Sequence, residues 1–334
     1  MNVAVVAGGV AFLISGALVP LLVNFAVGRN LLDVPNLRSS HEVPTPRLGG
    51  VAIFAGTLAG IALLGLGGDL REAWPLLVAA ALMWSVGLAD DLGNLHFGAK
   101  AAAQALLASG LLLLYPPQVL ADTSGATRVL AFAVGVVWVV ALCNAFNFMD
   151  GIDGFTGGVA LVNVLFLAPL AGEAGAFLPV LAGATAGFLI WNVHPASIFV
   201  GDSGAYFLGF CLAAVALYAP MPVDGGWTPF GFVACVLIFT PYLFDTSYTI
   251  LRRLRTGVGK NIFLAHREHI YQRITPTTGM HRRTSNLYYG ASVIAGFAAL
   301  LVAEGGVAAV AGAGLALACC GLLAALPRLI GPTG

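Results

Sequence analysis

The sequence predicts an all-α protein that crosses a membrane many times, with about eleven transmembrane helices. Hydrophobic residues make up 59% of its 334 residues and charged residues only 9%, whereas soluble domains carry roughly 25% charged residues. Long apolar runs recur along the whole chain, and its 43 glycines suit close packing of helices in lipid. These features exclude a soluble enzyme, a nucleic-acid-binding protein and a disordered chain. Residues 1–334 are interpreted as one integral membrane domain.

A membrane-spanning helix needs roughly 20 mostly apolar residues. Eleven windows of the sequence meet this condition, each separated from the next by a polar, proline-rich or glycine-rich segment. The sixth window is short and the last is rich in glycine and alanine, so ten spans are the alternative. In chain order the windows are 3–28, 49–67, 73–89, 98–115, 128–146, 156–171, 176–194, 203–219, 229–250, 286–303 and 306–326.

The fifteen lysines and arginines are unevenly distributed among the loops between these windows. Thirteen lie in odd-numbered loops or after the last window, and only Arg71 and Arg128 lie in even-numbered loops. Because loops rich in basic residues stay in the cytoplasm, odd-numbered loops are expected inside and the N-terminus outside. All six histidines and nine of the fifteen acidic residues lie in or beside the same odd-numbered loops. Any chemistry is therefore expected at the cytoplasmic face.

Asp90 and Asp91 close the third window. Two adjacent carboxylates at a membrane boundary repel each other and lose part of their hydration. A proton or a divalent cation would relieve that cost, and Mg²⁺ takes carboxylate oxygens while keeping waters or phosphate oxygens as further ligands. A solvated helix end is the alternative interpretation.

The segment that follows the fifth window, residues 144–154, reads NAFNFMDGIDG. Asn144, Asn147 and Asp150 recur every three residues, so a helix end would hold them near one face. Asp150 and Asp153 are each followed by glycine, and Asp-Gly steps favour tight turns. Carboxamides, carboxylates and exposed backbone N–H groups are suited to binding a nucleotide and a metal. The alternative is a polar turn in which Asn and Asp act as helix caps.

The segment 199–204, FVGDSG, precedes the eighth window. Its glycines permit close backbone approach, and Asp202 lies where a helix is expected to begin. Asp202 is therefore either a metal ligand or an N-cap, and the segment by itself leaves both open. Phe199 is suited to stacking on a base or to anchoring in the membrane interface.

The first loop contains prolines and ends in Gly49-Gly50, which predicts an ordered, non-helical loop. Arg38, His41 and Arg47 of this loop are suited to binding an anionic substrate or anionic lipid headgroups. The general excess of positive charge in cytoplasmic loops would also explain the two arginines.

The ninth loop contains the segment 265–273, AHREHIYQR. On a helix, His266, His269 and Arg273 would share one face, and such a face suits a ligand rich in phosphate. A basic amphipathic segment bound to lipid headgroups is the alternative.

Several other polar residues are expected to have structural roles. Asp245 is expected to pair with Arg252 or Arg253, one or two helical turns further on. The five cysteines fall in apolar runs and are interpreted as packing residues. The remaining histidines, His96, His194 and His281, are interpreted as packing residues at the membrane interface.

Together these segments resemble the bacterial polyprenyl-phosphate N-acetylhexosamine-1-phosphate transferases (glycosyltransferase family 4). The resemblance covers about residues 33–283, with five elements in the family's order. Its most specific part is NxxNxxDGxDG at 144–154 followed by FxGDxG at 199–204; the first loop, Asp90-Asp91 and the last loop support it. The last loop lacks the adjacent histidines of the branch that initiates peptidoglycan. It resembles the branch that starts O-antigen, part of lipopolysaccharide, and other surface polysaccharides.

The resemblance implies a reaction in which a phosphate oxygen of undecaprenyl phosphate attacks the β-phosphorus of a UDP-HexNAc sugar. The products are undecaprenyl-diphosphate-HexNAc and UMP, and Mg²⁺, or alternatively Mn²⁺, is the implied cofactor. The implied location is the bacterial inner membrane, with the lipid bilayer as surroundings, no nucleic acid partner and a homodimer as one option.

The resemblance also implies roles for the residues named above. Asp202 and Asn147 would bind the metal, and Asp90 or Asp91 would orient or deprotonate the acceptor phosphate. The implied substrate-binding residues are Asn144, Asp150, Asp153 and Phe199 around the nucleotide, Arg38, His41 and Arg47 in the first loop, and His266, His269 and Arg273 at the sugar or its phosphates.

Two other functions remain as alternatives. The first is the phospho-MurNAc-pentapeptide transferase of peptidoglycan synthesis, which the last loop disfavours. The second is a secondary transporter, which predicts ionisable residues near mid-span and broken helices in paired repeats. The acidic residues of the motifs above lie at the ends of the windows on one side, which argues against transport. Residues 1–6 include no basic residue, so a cleaved signal peptide is not expected.

Overall fold

The computed structural model describes residues 3–35, 39–66, 74–93, 95–219, 229–256, 266–275 and 280–330. Helices dominate these residues, with two short 3₁₀ turns at Ala168–Leu170 and Gly172–Gly175. In chain order the helices are α1 (Val3–Arg29), α2 (Gly49–Leu66), α3 (Trp74–Gly93), α4 (Phe97–Leu114), α5 (Gln118–Ala121), α6 (Gly125–Phe148), α7 (Phe155–Leu167), α8 (Leu178–Asn192), α9 (Gly201–Tyr218), α10 (Pro229–Ile238), α11 (Thr240–Thr256), α12 (Ile270–Arg273), α13 (His281–Glu304) and α14 (Gly306–Leu329).

The long helices lie where the sequence predicts them, and only the ninth window is divided, between α10 and α11. By length and apolar composition, seven helices of the described residues can cross a membrane, or eight if α10 and α11 form one bent span. Three further apolar helices, α2, α7 and α8, are shorter. The all-α, multi-pass fold class is therefore confirmed. The count of eleven spans and the outside N-terminus stay predictions.

The first loop carries a small exception to the all-α prediction. Strand β1 (Leu32–Asp33) pairs antiparallel with β2 (Thr45–Pro46), with Leu32 opposite Pro46. The loop is also joined to the segment before α9, because the N–H of Phe199 donates to the Pro46 carbonyl at 2.8 Å. The N–H of Gly49 donates back to the Phe199 carbonyl at 2.9 Å. These bonds bring two predicted site segments together although about 150 residues of chain separate them.

The window at 229–250 predicts one span, and the structure bends it by 75° around Phe239. Beyond the bend, α11 is amphipathic, with Tyr242, Asp245, Thr249 and Arg253 among its buried residues. This spacing of three and four residues places them on one helix face. A helix with polar side chains on its buried face needs polar partners there, and α12 supplies them.

Helix α9 lies at the centre of the bundle, where every residue except Asp202 and Tyr218 is buried. It packs closely on α3, because a Cβ at Gly87 would lie only 2.5 Å from the Asp202 carbonyl oxygen. This contact places the carboxyl-terminal end of α3, with Asp90 and Asp91, beside the start of α9.

Candidate active site

A polar cavity of about 220 Å³ opens beside the start of α9. Segments from the first loop, the turn after α6, the end of α8, the start of α9, α12 and the start of α13 line it. Six predicted site residues contribute to this lining: His41, Arg47, Asp150, Asp153, Phe199 and Asp202. The other lining residues are Asp33, Ser39, Ser40, Gly151, Ile152, Asn192, Gly201, Gln272 and His281.

Asp91 caps the N-terminus of α9. Its Oδ1 accepts a hydrogen bond from the Asp202 N–H at 2.7 Å, and its Oδ2 accepts from the N–H of Ser203 at 3.0 Å and from the Ser203 hydroxyl at 2.7 Å. The first N–H groups of a helix have no intrahelical acceptor, and the helix dipole favours a negative charge there. The cap therefore comes from α3, which leaves the Asp202 side chain available to the cavity.

Gly201 makes this arrangement possible. Its φ of 71° lies in the left-handed region, which glycine adopts without a steric penalty. A Cβ at this position would lie 2.5 Å from the Arg47 carbonyl oxygen and 2.8 Å from Asp91 Oδ2. The predicted close backbone approach in segment 199–204 is thus confirmed.

Asp90, Lys100 and Asp202 form a charged cluster behind the cavity wall. Lys100 Nζ lies 2.6 Å from Asp90 Oδ2 and 3.6 Å from Asp202 Oδ2. The two carboxylates are themselves close enough to share a hydrogen bond. The side chain of Asp90 is only 7% exposed, whereas that of Asp202 is 29% exposed and lines the cavity. One ammonium group faces two carboxylates, so a further cation or a proton would neutralise the remaining negative charge of the cluster.

Asp150 lies in the turn after α6 and also lines the cavity. Burial raises the pKa of Asp150 to about 7, and the Asp91 carboxylate acts in the same direction, while Thr156 and Arg47 oppose the shift. Near neutral pH this carboxyl is therefore poised between its neutral and charged forms.

Asp153 is held by two histidines. His194 Nδ1 lies 2.6 Å from Asp153 Oδ2, and His281 Nδ1 lies 3.3 Å from Asp153 Oδ1. Burial raises the pKa of Asp153, but the hydrogen bonds from His281 and His194 outweigh that effect and hold it below its usual value. The interpretation of these two histidines as packing residues at the interface is therefore wrong. His96 is different, because it caps α4 by accepting the N–H of Gly98 at 3.1 Å.

The first loop contributes a second charged pair. Arg47 Nη2 lies 2.5 Å from Asp33 Oδ1, and the His41 ring meets Phe199 edge-on at 4.9 Å. Burial lowers the pKa of Arg47, but the contact with Asp33 outweighs it and the net shift is upward. A neighbouring cavity of about 340 Å³ shares Asp33 and Arg47 and reaches Asp91. Arg38 lies outside the described residues.

Two predicted residues of the 144–154 segment do not line the cavity. The Asn144 side chain donates to Gln104 Oε1 at 2.6 Å and to the Val140 carbonyl at 2.8 Å, so it pairs with α4 inside the bundle. Its predicted nucleotide contact is not supported, because spacing along α6 does not decide which neighbouring helix a polar side chain meets. Asn147 lies one turn further on and is half-buried.

The last loop differs from the predicted helical face. Because α12 begins only at Ile270, His266 and His269 precede the helix and do not share a helix face with Arg273. His266 stacks on His269 at 5.0 Å, and burial lowers the pKa of His266 to about 4. These three residues do not line the cavity, whereas Gln272 of the same segment does.

The expected pairing of Asp245 with Arg252 or Arg253 is also wrong. Both arginines contact Glu268 instead, Arg253 at 2.6 Å. The Asp245 carboxylate is fully buried and points at the start of α12, where free N–H groups attract it. Its partners are the N–H groups of Ile270 at 2.8 Å and Tyr271 at 3.1 Å, the Tyr288 hydroxyl at 2.5 Å, the Thr249 hydroxyl at 3.2 Å and His269 Nδ1 at 3.2 Å.

Sequence reasoning missed several residues of the site. Lys100 follows Asp90 by ten residues, at the start of the next helix. This position could have indicated that Lys100 pairs with the carboxylates at the end of α3. Gln272 lies between the predicted residues His269 and Arg273, but its neutral amide was not predicted to contribute to the site. Asn192 carried no signal, although it holds the site by accepting the N–H of Gly154 and donating to the carbonyl of Ile198.

The charged cluster has the donor chemistry that Mg²⁺ prefers. Asp202 and Asp90 offer carboxylate oxygens that are close together, and the cavity leaves room for phosphate oxygens as further ligands. Asp91 fits this role less well, because both of its oxygens already accept hydrogen bonds from α9.

Comparisons with known proteins agree with this arrangement. The family model described as Glycosyl transferase family 4 matches residues 73–219. The chain is 33% identical to the decaprenyl-phosphate N-acetylglucosaminephosphotransferase of Mycobacterium leprae, over 76% of this chain and 72% of the relative. It is 32% identical to the protein of that name in Mycobacterium tuberculosis, over 76% and 71%. It is 31% identical to the undecaprenyl-phosphate alpha-N-acetylglucosaminyl 1-phosphate transferase of Thermotoga maritima, over 78% and 79%. The chain therefore belongs to glycosyl transferase family 4, the family of the polyprenyl-phosphate N-acetylhexosamine-1-phosphate transferases.

Proposed function

We propose that this protein transfers HexNAc-1-phosphate from a UDP-HexNAc sugar to undecaprenyl phosphate. The observation that carries the proposal is the cavity itself, in which Asp202, Asp150 and Asp153 face Arg47 and His41 at one end of an apolar helix bundle. The relatives are named as transferases of N-acetylglucosamine phosphate with decaprenyl or undecaprenyl phosphate, which supports the same substrate classes here. The products are undecaprenyl-diphosphate-HexNAc and UMP.

The reaction exchanges one phosphorus–oxygen bond for another. A phosphate oxygen of the lipid attacks the β-phosphorus of the donor, the new P–O bond forms, and UMP leaves with the electrons of the broken bond. A phosphate monoester has its second pKa near ~6, so the acceptor is largely dianionic at neutral pH. Catalysis therefore depends on position and charge neutralisation more than on a strong base.

The charged cluster would supply that neutralisation. We propose that Asp202, with Asp90 beside it and Asn147 as the further ligand expected from the resemblance, binds Mg²⁺ or Mn²⁺, which when bound offsets the charge of the diphosphate. Lys100 holds Asp90 in place and supplies a positive charge 3.6 Å from Asp202. Asp91 positions Asp202 by capping α9, so in this proposal it acts through the helix and not on the acceptor directly.

The two cavities suggest where each substrate lies. In the main cavity, Phe199 would meet the uracil ring, and Asp153 and Asn192 would face the nucleoside. The neighbouring cavity joins Arg47 to apolar Leu31, Leu48 and Leu92, which suits a phosphate on a hydrocarbon tail. Arg47 borders both cavities and is therefore our candidate for contacting the phosphates of both substrates.

We further propose eleven spans in a bacterial inner membrane, with the N-terminus outside and the cavity facing the cytoplasm. The distribution of basic residues supports this orientation. A cytosolic nucleotide sugar and a lipid whose tail stays in the bilayer can meet only at such a boundary. O-antigen and other surface polysaccharides are the proposed destinations of the product, and a homodimer is the proposed assembly.

Peptidoglycan initiation is less favoured, because the relatives above are named for N-acetylglucosamine and the last loop has no run of adjacent histidines. Transport is also less favoured. Within the described residues the acidic side chains of the cavity cluster at one end of the bundle and not at mid-span.

The test uses the purified full-length protein with undecaprenyl phosphate and a panel of labelled UDP-sugars: GlcNAc, GalNAc, FucNAc and QuiNAc. We expect a lipid-linked product of matching mass, with one UMP released per product. EDTA should stop the reaction, and Mg²⁺ or Mn²⁺ should restore it. Asp202→Asn should abolish turnover, while Asp122→Asn, an exposed acid away from the cavity, serves as the matched control. Uptake of UDP-sugar into vesicles without a lipid product would refute the proposal, and undiminished turnover in EDTA would refute its metal requirement.

A further inference from the structure

A second group of metal-ligand side chains lies apart from the Asp90–Asp202 cluster. Asp153, His194 and His281 each present one nitrogen or oxygen atom, and the three atoms lie within 4.8 Å of one another. They come from three separate segments: the turn before α7, the connection from α8 to α9 and the first residue of α13. The transfer reaction proposed above gives the two histidines no part.

One distance in this group already matches a tetrahedral metal site, and the other ligand atoms lie near enough to reach the same ion. With bonds of about 2.0–2.2 Å, a tetrahedral ion holds its ligand atoms roughly 3.3 Å apart. His281 Nδ1 and Asp153 Oδ1 already lie 3.3 Å apart. His194 Nδ1 is nearer, at 2.6 Å from Asp153 Oδ2, but its side chain is 29% exposed and has room to turn. The two rings stand at 67° with centroids 5.4 Å apart, so each nitrogen approaches from its own direction.

The charges of this group also favour a cation. The Asp153 side chain is only 8% exposed, and among the described residues its ionic partners are the two histidines, with no lysine or arginine. A buried carboxylate without a positive partner is costly. The Nε2 of His281 is buried with no hydrogen-bond partner in the described part of the chain, and its Nδ1 accepts the Asp153 N–H at 3.4 Å. A divalent ion bound to these three side chains would supply the positive charge that the Asp153 carboxylate lacks.

We propose that Asp153, His194 and His281 form a binding site for a transition-metal dication of the Zn²⁺ type. Two imidazoles and one carboxylate are a ligand set that suits Zn²⁺, whereas Mg²⁺ takes oxygen ligands and suits the Asp90–Asp202 cluster. Asp153 and His281 line the main cavity, so the fourth coordination position faces water or a bound ligand. This site rests on geometry and charge and stands independently of the transfer reaction.

The experiment titrates the full-length protein in detergent with Co²⁺, which gives visible absorption bands in a tetrahedral site, in the presence of excess Mg²⁺. We expect saturation near one equivalent and displacement by Zn²⁺. His194→Asn and His281→Asn should each weaken binding by at least about tenfold. His96→Asn, a histidine that caps α4, and Asp202→Asn, in the other cluster, should leave binding unchanged.

Two further measurements keep the result interpretable. The five cysteines are free and could bind Co²⁺, but they would add an intense thiolate band in the near ultraviolet that the proposed site lacks. His281 is nearly fully buried, so thermal unfolding of each variant without metal reports whether that variant folds. His194, whose side chain is 29% exposed, provides the milder substitution. Three outcomes would overturn the proposal. They are a titration without saturable Co²⁺ binding, unchanged binding in a folded His194→Asn variant, and loss of binding only in Asp202→Asn. None of these outcomes depends on whether HexNAc-1-phosphate is transferred.

Discussion

Replacing Lys100 with methionine tests the charged cluster beside the cavity. Lys100 Nζ lies 2.6 Å from Asp90 Oδ2, and the Asp90 side chain is only 7% exposed. Removing one partner of a buried ion pair costs about 3–5 kcal/mol, because the remaining charge stays buried without compensation. Lys100 is 18% exposed, so water can partly replace it. We therefore expect a loss near the lower limit, about 3 kcal/mol of unfolding free energy.

The assay follows thermal unfolding in detergent with a thiol-reactive dye, since Cys143, Cys211 and Cys235 are buried in the folded protein. In EDTA, Lys100→Met should unfold several degrees below the wild type. Mg²⁺ should return part of the difference, because a divalent cation can neutralise the same carboxylates. Lys100→Arg, which keeps the positive charge, is the matched control and should lose little.

A double substitution decides the cause. Asp90→Asn removes the charge that Lys100 compensates, while its side-chain oxygen can still accept the N–H of Leu95. The double variant Lys100→Met with Asp90→Asn should therefore be more stable than Lys100→Met alone. If Lys100→Met unfolds at the wild-type temperature in EDTA, or if the second substitution lowers stability further, the reasoning about a buried, uncompensated carboxylate is refuted.

Three further predictions test other parts of the site. Burial raises the pKa of Asp150 from 3.8 to about 7, so between these pH values the folded protein keeps a proton on Asp150 that the unfolded chain has released. The free energy of unfolding therefore falls as pH rises from 3.8 to about 7. Asp150→Asn should flatten the melting temperature against pH between those values, and an unchanged slope would contradict the assignment. Gly201→Ala should reduce kcat/KM at least about tenfold, since a left-handed alanine costs roughly 1–2 kcal/mol and its Cβ would lie 2.5 Å from the Arg47 carbonyl oxygen. Gly93→Ala is the control, because a Cβ there meets no atom within 4 Å. Equal losses of kcat/KM in both variants would count against this explanation. Asp245→Ala should free the N–H groups at the start of α12 and speed hydrogen exchange there, and protection equal to wild type would show that Asp245 does not hold this segment.

The helices could be predicted from the sequence because the property that defines them is local. About 20 apolar residues in a row form a helix in lipid regardless of what surrounds them, since the backbone must satisfy its own hydrogen bonds. The bend at Phe239 was not predicted, because the apolar window continues across it, although Pro241 is a residue that interrupts a helix. The small pairing of residues 32–33 with 45–46 depends on contacts between chain segments and carried no signal of length or pattern.

The site was only partly predictable, for a related reason. Asp150, Asp153, Phe199 and Asp202 line the cavity as the motifs suggest. Asn144 has the same spacing on α6 but meets Gln104 of α4 instead. A spacing of three residues shows that side chains share a helix face. It does not show which neighbouring element that face contacts.

The sequence by itself determined that this is a multi-pass α-helical membrane protein and which segments carry its polar chemistry, because apolar length and motif spacing are properties of a continuous chain. Only the tertiary structure decided how the carboxylates divide their work. Asp91 and Asp202 both belong to predicted site segments, yet Asp91 caps α9 from α3 and Asp202 faces the cavity. The first N–H groups of α9 lack an intrahelical acceptor and are satisfied by one carboxylate. The close approach of α3 to α9 at Gly87 determines which carboxylate reaches them.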